Sequence, residues 1–112
     1  AAMRLTPIPK LVLSESVKVR VPVPDDYGLA WSEEAQELKH VRIETSQALV
    51  NKGFVLTDGC TAVMYVDAIH SQGLKEVPVG SLVSVGEDWR SVISVTPCEV
   101  GGRVHHWEVE LR

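Results

Sequence analysis

Along most of the chain, apolar and polar residues alternate one by one, which is the period of a strand with one face in a core. From Ser16 to Val23, Val17, Val19, Val21 and Val23 alternate with Ser16, Lys18, Arg20 and Pro22. This predicts a half-buried strand rich in β-branched residues, which Pro22 and Pro24 either end or place at a sheet edge. Asp25-Asp26-Tyr27-Gly28 has the chemistry of a turn, and Gly28 to Ser32 returns as a short strand carrying Trp31. Lys39 to Thr45 alternates again, with Val41 and Ile43 inward and His40, Arg42 and Glu44 outward. Leu82 to Val85, a Gly86-Glu87-Asp88 turn and Trp89 to Thr96 predict a hairpin closed by Pro97, which has no N–H for a ladder. Gly101-Gly102 then launches a last strand, Arg103 to Leu111. His105, Trp107, Val109 and Leu111 take one face of it, and Val104, His106, Glu108 and Glu110 the other.

Four stretches depart from this rhythm. Leu5 to Lys10, with Pro7 and Pro9, reads as part of an extended arm over residues 1–15, suited to docking on a neighbour. Glu33 to Leu38 suits a helical turn capped by Ser32 as well as a polar loop. Ser46 to Gly59 sets Ala48-Leu49-Val50 and Phe54-Val55-Leu56 around the turn signal Asn51-Lys52-Gly53, so it is either a small hairpin or a long loop. A connection of that length in a small domain is more often functional than idle. Thr61 to Ile69 is apolar on both faces, with Val63, Tyr65 and Ile69 on one and Ala62, Met64, Val66 and Ala68 on the other. An antiparallel sheet normally leaves one face wet. This strand therefore lies at the centre of the core, or its second face meets another subunit. The pattern as a whole predicts an all-β fold in one domain over residues 1–112, a small antiparallel β-barrel of about six strands with one long loop.

Composition narrows the function. A chain of 112 residues that is 45% hydrophobic supports one folded domain with a modest core. Cys60 and Cys98 stand far apart and predict reduced thiols rather than a disulfide. No apolar run approaches the ~20 residues of a membrane helix, so a cytoplasmic protein without a membrane partner is expected. The net charge of −4 comes with no basic stripe, which argues against a protein that grips nucleic acid by its phosphates. Small barrels that stack bases expose aromatics among lysines and arginines. Trp89, Trp107 and Tyr65 instead share strand faces with aliphatics, which suits core packing.

Catalytic chemistry finds little support. His105-His106 invites a metal, yet consecutive strand residues point to opposite faces and are not expected to chelate together. Asp67 and His70 are close in sequence, but no nucleophile in a suitable context accompanies them. Gly80 and Gly86 precede no helix, so no phosphate loop is expected. The residues predict no catalytic, cofactor or metal site and no enzyme.

Several segments taken together carry a resemblance. Ile8-Pro9-Lys10 with Leu11 and Leu13 before a Ser16-Val17 strand, the Asp25-Asp26-Tyr27-Gly28 turn, Val41-Arg42-Ile43-Glu44, Tyr65-Val66-Asp67-Ala68 and above all His105-His106-Trp107-Glu108-Val109-Glu110-Leu111 occur in order from about Ile8 onward. In these the chain resembles the minor capsid proteins of tailed bacteriophages and prophages, the head-tail connector components also called head-closure or stopper proteins. The resemblance implies a β-barrel subunit of the virion, made in the host cytoplasm, that forms a ring below the portal and its adaptor and joins the tail-side proteins. It implies a loop reaching into the channel to help retain DNA, matched here by Asn51, Lys52, Gly53 and Phe54. A ring interface is then expected on Ala62, Met64, Val66 and Ala68. An acidic subunit around such a channel would let double-stranded DNA pass without sequence-specific binding. The alternative is a small β-barrel adaptor or nucleic-acid-binding module outside any virion, adding a partner at an exposed edge.

Overall fold

Alternation over the segments described above closes a barrel. A computed structural model describes residues 7–25, 28–56 and 58–112. Six strands make the wall: β1 (Glu15–Arg20), β4 (Gln36–Thr45), β5 (Ala62–Asp67), β7 (Leu82–Val85), β8 (Asp88–Val100) and β9 (Arg103–Leu111). Their order is β1-β7-β8-β9-β5-β4, and β4 pairs back with β1, so the wall has no open side. Every pairing is antiparallel. The short β6 (Gln72–Gly73) adds to β4 outside the ring. Closure removes the sheet edges that would otherwise invite a foreign strand.

The inward side chains pack a single apolar core. Val17 and Val19 of β1, Leu38 and Val41 of β4, Ala62, Met64 and Val66 of β5, Val83, Val92, Val109 and Leu111 all lie in it at 5% exposure or less. Both hairpin turns of the C-terminal meander are two residues long. Gly86-Glu87 joins Val85 to Asp88, and Gly101-Gly102 joins Val100 to Arg103 with both glycines at positive φ (60° and 79°), which a side chain would resist.

Two expectations change, and one left open is settled. The alternation of β1 runs on past Arg20 in sequence, but the strand stops there, because Val21 turns to Ser32, its carbonyl accepting from Ser32 N–H (2.8 Å) and its own N–H donating to the Ser32 hydroxyl oxygen (3.2 Å). Beyond it β2 (Pro22–Asp25) and β3 (Gly28–Trp31) form their own two-stranded ribbon. Asp26 and Tyr27 of the predicted turn lie outside the described residues. Glu33-Glu34 is a polar bend leading into β4, which already begins at Gln36, so Glu33 to Leu38 holds no helical turn. Pro97 does not end its strand, since β8 runs on through it to Val100 and pairs Pro97 with Trp107. Among the described residues β7 partners β8 only as far as Ser91, so the missing N–H of Pro97 is withheld from no ladder on that side.

Three register shifts interrupt the wall, one of them in β8 between Val92 and Ser94, and the other two bear on the sites below. In β4, Glu15 faces Val41 and Ser16 faces Lys39, which leaves His40 without a partner on β1, at a φ of +59° that is rare outside glycine. The buried Ser71 hydroxyl donates to the His40 carbonyl and accepts from Asp67 N–H at 2.8 Å, fixing the kink. In β9, Cys98 faces His106 while Glu99 faces Val104, so His105 is the extra residue.

Candidate functional site

The outer face of β5 gathers most of what lies beyond the barrel itself. Its neighbours are read from the register: Tyr65 sits between Arg42 of β4 and Glu108 of β9, and Val63 between Glu44 and Glu110. Two appendages cover this face.

The first is the segment that follows β4. The expected hairpin or long loop begins instead as a helix, α1 (Ser46–Asn51). Thr45 caps it, its hydroxyl accepting from Ala48 N–H at 3.3 Å. Asn51-Lys52-Gly53 is a turn signal, but it serves as the helix end. Phe54 N–H donates to Leu49 O (3.1 Å) and Gly53 N–H to Val50 O (2.9 Å), with Gly53 at φ +89°. That paired arrangement is a Schellman stop, which requires a left-handed residue where glycine stands. Leu49 is 1% exposed and shares a cavity of about 80 Å³ with Val63, Tyr65, Phe54, Val55, Thr96 and Glu108. Val50, Phe54 and Val55 remain exposed, Val55 at 97%.

The second is the arm. Residues 1–6 lie outside the described ones; from Pro7 onward the arm reaches its own barrel. Ile8 is held at both ends of its peptide, its N–H donating to Asp67 Oδ1 (3.0 Å) and its carbonyl accepting from His70 Nδ1 (2.9 Å). The buried Asp67 carboxylate also accepts from Ile69 N–H (2.9 Å) and His70 N–H (2.7 Å). Burial by itself raises this carboxyl. The backbone donors of His70, Ile8 and Ile69 and the His70 charge outweigh burial and hold it below the ordinary aspartate range. Asp67 and His70 do approach one another, as a clamp for the chain rather than a catalytic pair.

This geometry corrects the expected interface. Ala62, Met64 and Val66 point into the barrel at 5%, 0% and 0% exposure, and the Ala68 N–H donates to His105 O at 3.1 Å. Strand β5 is apolar on both faces because one fills the core and the other lies under the chain's own appendages. Of the four loop residues, Asn51 closes α1, Gly53 and Phe54 complete its cap, and Lys52 is tied back to the wall. Its Nζ lies 3.2 Å from Glu44 Oε2, and Arg42 Nε lies 3.3 Å from Oε1. Burial pushes Glu44 up, but Lys52 and Arg42 outweigh it and lower its pKa.

A second cluster was hidden from strand alternation. Because His105 is bulged, its ring is not sent to the face opposite His106, and the two Nδ1 atoms lie 2.8 Å apart. The other ring nitrogen of His106 lies 3.4 Å from Glu108 Oε1. Across the hairpin stands Cys98, and donor atoms of Cys98, His106 and Glu108 all fall within 4.8 Å of one another. Burial raises the Cys98 thiol pKa, and the Glu108 charge adds to it. Cys60, the other free thiol, is raised by burial and then by Glu110. An open groove of about 420 Å³ between Lys18, Glu37, Glu87 and Trp89 gathers no comparable set of donors.

With this architecture in hand, a comparison with protein families is decisive. The family described as minor capsid protein matches residues 9–111. The chain belongs to the minor capsid protein family. The match begins at Pro9, inside the docked arm, and ends at Leu111, the last residue of β9, so it takes in the whole barrel and the α1 excursion. A minor capsid protein has a structural role in a phage particle, and this one performs it as a closed β-barrel. No curated protein and no solved structure matches the chain.

Proposed function

We propose that this minor capsid protein is a head-tail connector subunit that assembles into a ring below the portal and its adaptor, meets the tail-side proteins, and helps retain packaged DNA. The observation that carries the reading is the α1 excursion on a closed barrel. Closure leaves little of the wall free for partner pairing, so contacts fall mainly to what stands outside it, and there Leu11, Val50, Phe54 and Val55 are all more than half exposed. Repeating such a heterologous contact with a closing rotation gives a ring. In this reading the expected interface moves from the inner face of β5 to the arm and α1.

The Asn51 to Phe54 tip is the part assigned to the channel. Its one cation, Lys52, is engaged by Glu44, and the subunit carries a net charge of −4. Retention by such a tip is steric, since the cationic contacts that would grip phosphates are withheld.

Two measurements test the proposal. Negative-stain imaging with light scattering, on the protein alone and mixed with a portal-adaptor assembly, is expected to show rings or a cap of density on the portal; a monomer that leaves the portal bare overturns the connector reading. Particles carrying a deletion of Asn51 to Phe54 are expected to join tails but leak DNA, and unchanged retention removes the channel role from this segment.

A further inference from the structure

The hairpin of β8 and β9 carries three donors of different chemistry at one point, and no part of the connector reading uses them. We propose that Cys98, His106 and Glu108 form a binding site for a divalent transition metal, with Zn²⁺ the ion that best suits the set. A thiolate, an imidazole and a carboxylate are a mixed soft and borderline group that selects zinc over the hard cations, which prefer oxygen alone.

Three geometric facts support the site. The first is convergence: the donor atoms lie within 4.8 Å of one another, and all three residues are half-buried, so the site is reachable without being fully hydrated. The second is the distance of 3.4 Å between the His106 ring nitrogen and Glu108 Oε1. That is long for a hydrogen bond. It is close to the ~3.3 Å edge expected between nitrogen and oxygen ligands around a tetrahedral zinc with bonds near 2.0–2.1 Å. The thiol needs only to swing inward to bring Sγ to ~3.6 Å from each, the edge that a Zn–S bond of ~2.3 Å sets.

The third fact is the outer support. His106 Nδ1 is engaged by His105 Nδ1 at 2.8 Å, which leaves Nε2 toward Glu108 and the thiol. A ligating histidine is normally fixed in this way, donating its other N–H to a neighbour that sets the tautomer and the ring orientation. The β9 bulge makes this possible, because it brings two consecutive side chains to one place. Three protein ligands leave a fourth position for water or for a group from another molecule.

The test uses the full-length protein and Co²⁺ as a spectroscopic substitute for Zn²⁺, followed by competition between the two ions. The expected result is one Co²⁺ per chain, with tetrahedral visible bands and thiolate charge-transfer absorption in the near ultraviolet, displaced by Zn²⁺. Cys98→Ser abolishes the charge-transfer band, Glu108→Gln and His106→Ala each weaken binding at least ~10-fold, and His105→Ala weakens it ~10-fold while keeping the band, as expected of a supporting residue. Cys60→Ser changes nothing. All these side chains lie outside the core, and far-ultraviolet circular dichroism confirms that each variant is folded. Octahedral Co²⁺ without charge transfer, a band lost in Cys60→Ser rather than Cys98→Ser, or less than one ion bound at tens of micromolar overturns the site. The connector reading stands or falls separately, by imaging.

Discussion

The two faces of β5 are buried by different means. Its inner face, Ala62, Met64 and Val66, is covered by barrel closure and packs in the apolar core. Its outer face, Val63, Tyr65 and Asp67, is covered by α1 and by the arm, and depends on one carboxylate and three backbone donors as much as on apolar contact. The inner face therefore decides whether the domain exists. The outer face decides where its appendages sit.

Substitutions that separate the two faces test this division. Met64→Asp is expected to have the largest effect. An unpaired carboxylate at a site of 0% exposure costs several kcal/mol, and the domain unfolds rather than persisting as a folded monomer. Circular dichroism that shows a native barrel in this variant would collapse the distinction. Leu49→Ala removes the anchor of α1 and is expected to cost about 3 kcal/mol. Limited proteolysis should then cut near residues 50–56 while the barrel survives.

Asp67→Ala is expected to cost about 2 kcal/mol, because it leaves the N–H groups of Ile8, Ile69 and His70 without their acceptor. Cleavage of the arm ahead of β1 reports its release. The same carboxylate gives an acid limb. Its folded pKa is depressed, so its contribution is complete above the ordinary value of ~3.9 and is lost as pH falls through the lower folded value. A pH titration of Tm should show that limb in the parent and a weaker one in Asp67→Ala. The smallest effect is expected at Ser81, whose buried hydroxyl lacks a hydrogen-bond partner among the described residues. Ser81→Ala should raise stability by up to ~1 kcal/mol without moving either appendage.

Sequence periodicity located the strands well and their surroundings poorly. Val17, Val19, Val41, Val109 and Leu111 are core residues as alternation requires, because each side-chain direction there follows directly from strand geometry. The two-residue Gly101-Gly102 turn was equally legible, since positive φ demands glycine. The bulges at His40 and His105 were not. A bulge is a property of two paired strands, and neither strand alone records the register of its partner. This is why Cys98 and His106, eight positions apart, gave no sign of meeting. The α1 helix is six residues long, too short for a periodic signal, although Thr45 ahead of it and Gly53 after it were readable as caps. Pro97 misled because a proline breaks a sheet only where its nitrogen is owed a bond.

Closure of the wall also sets an order of events during synthesis. Strand β9 sits between β5 and β8, and it is the last of the six wall strands to be synthesised. Until it appears, β5 lacks one neighbour and the outer half of β8 lacks its only one, so every nascent chain passes through a stage with two exposed edges. Stalled or truncated translation products lacking β9 are thus expected to be the aggregation-prone form of this protein, because synthesis of β9 is the step that closes the wall.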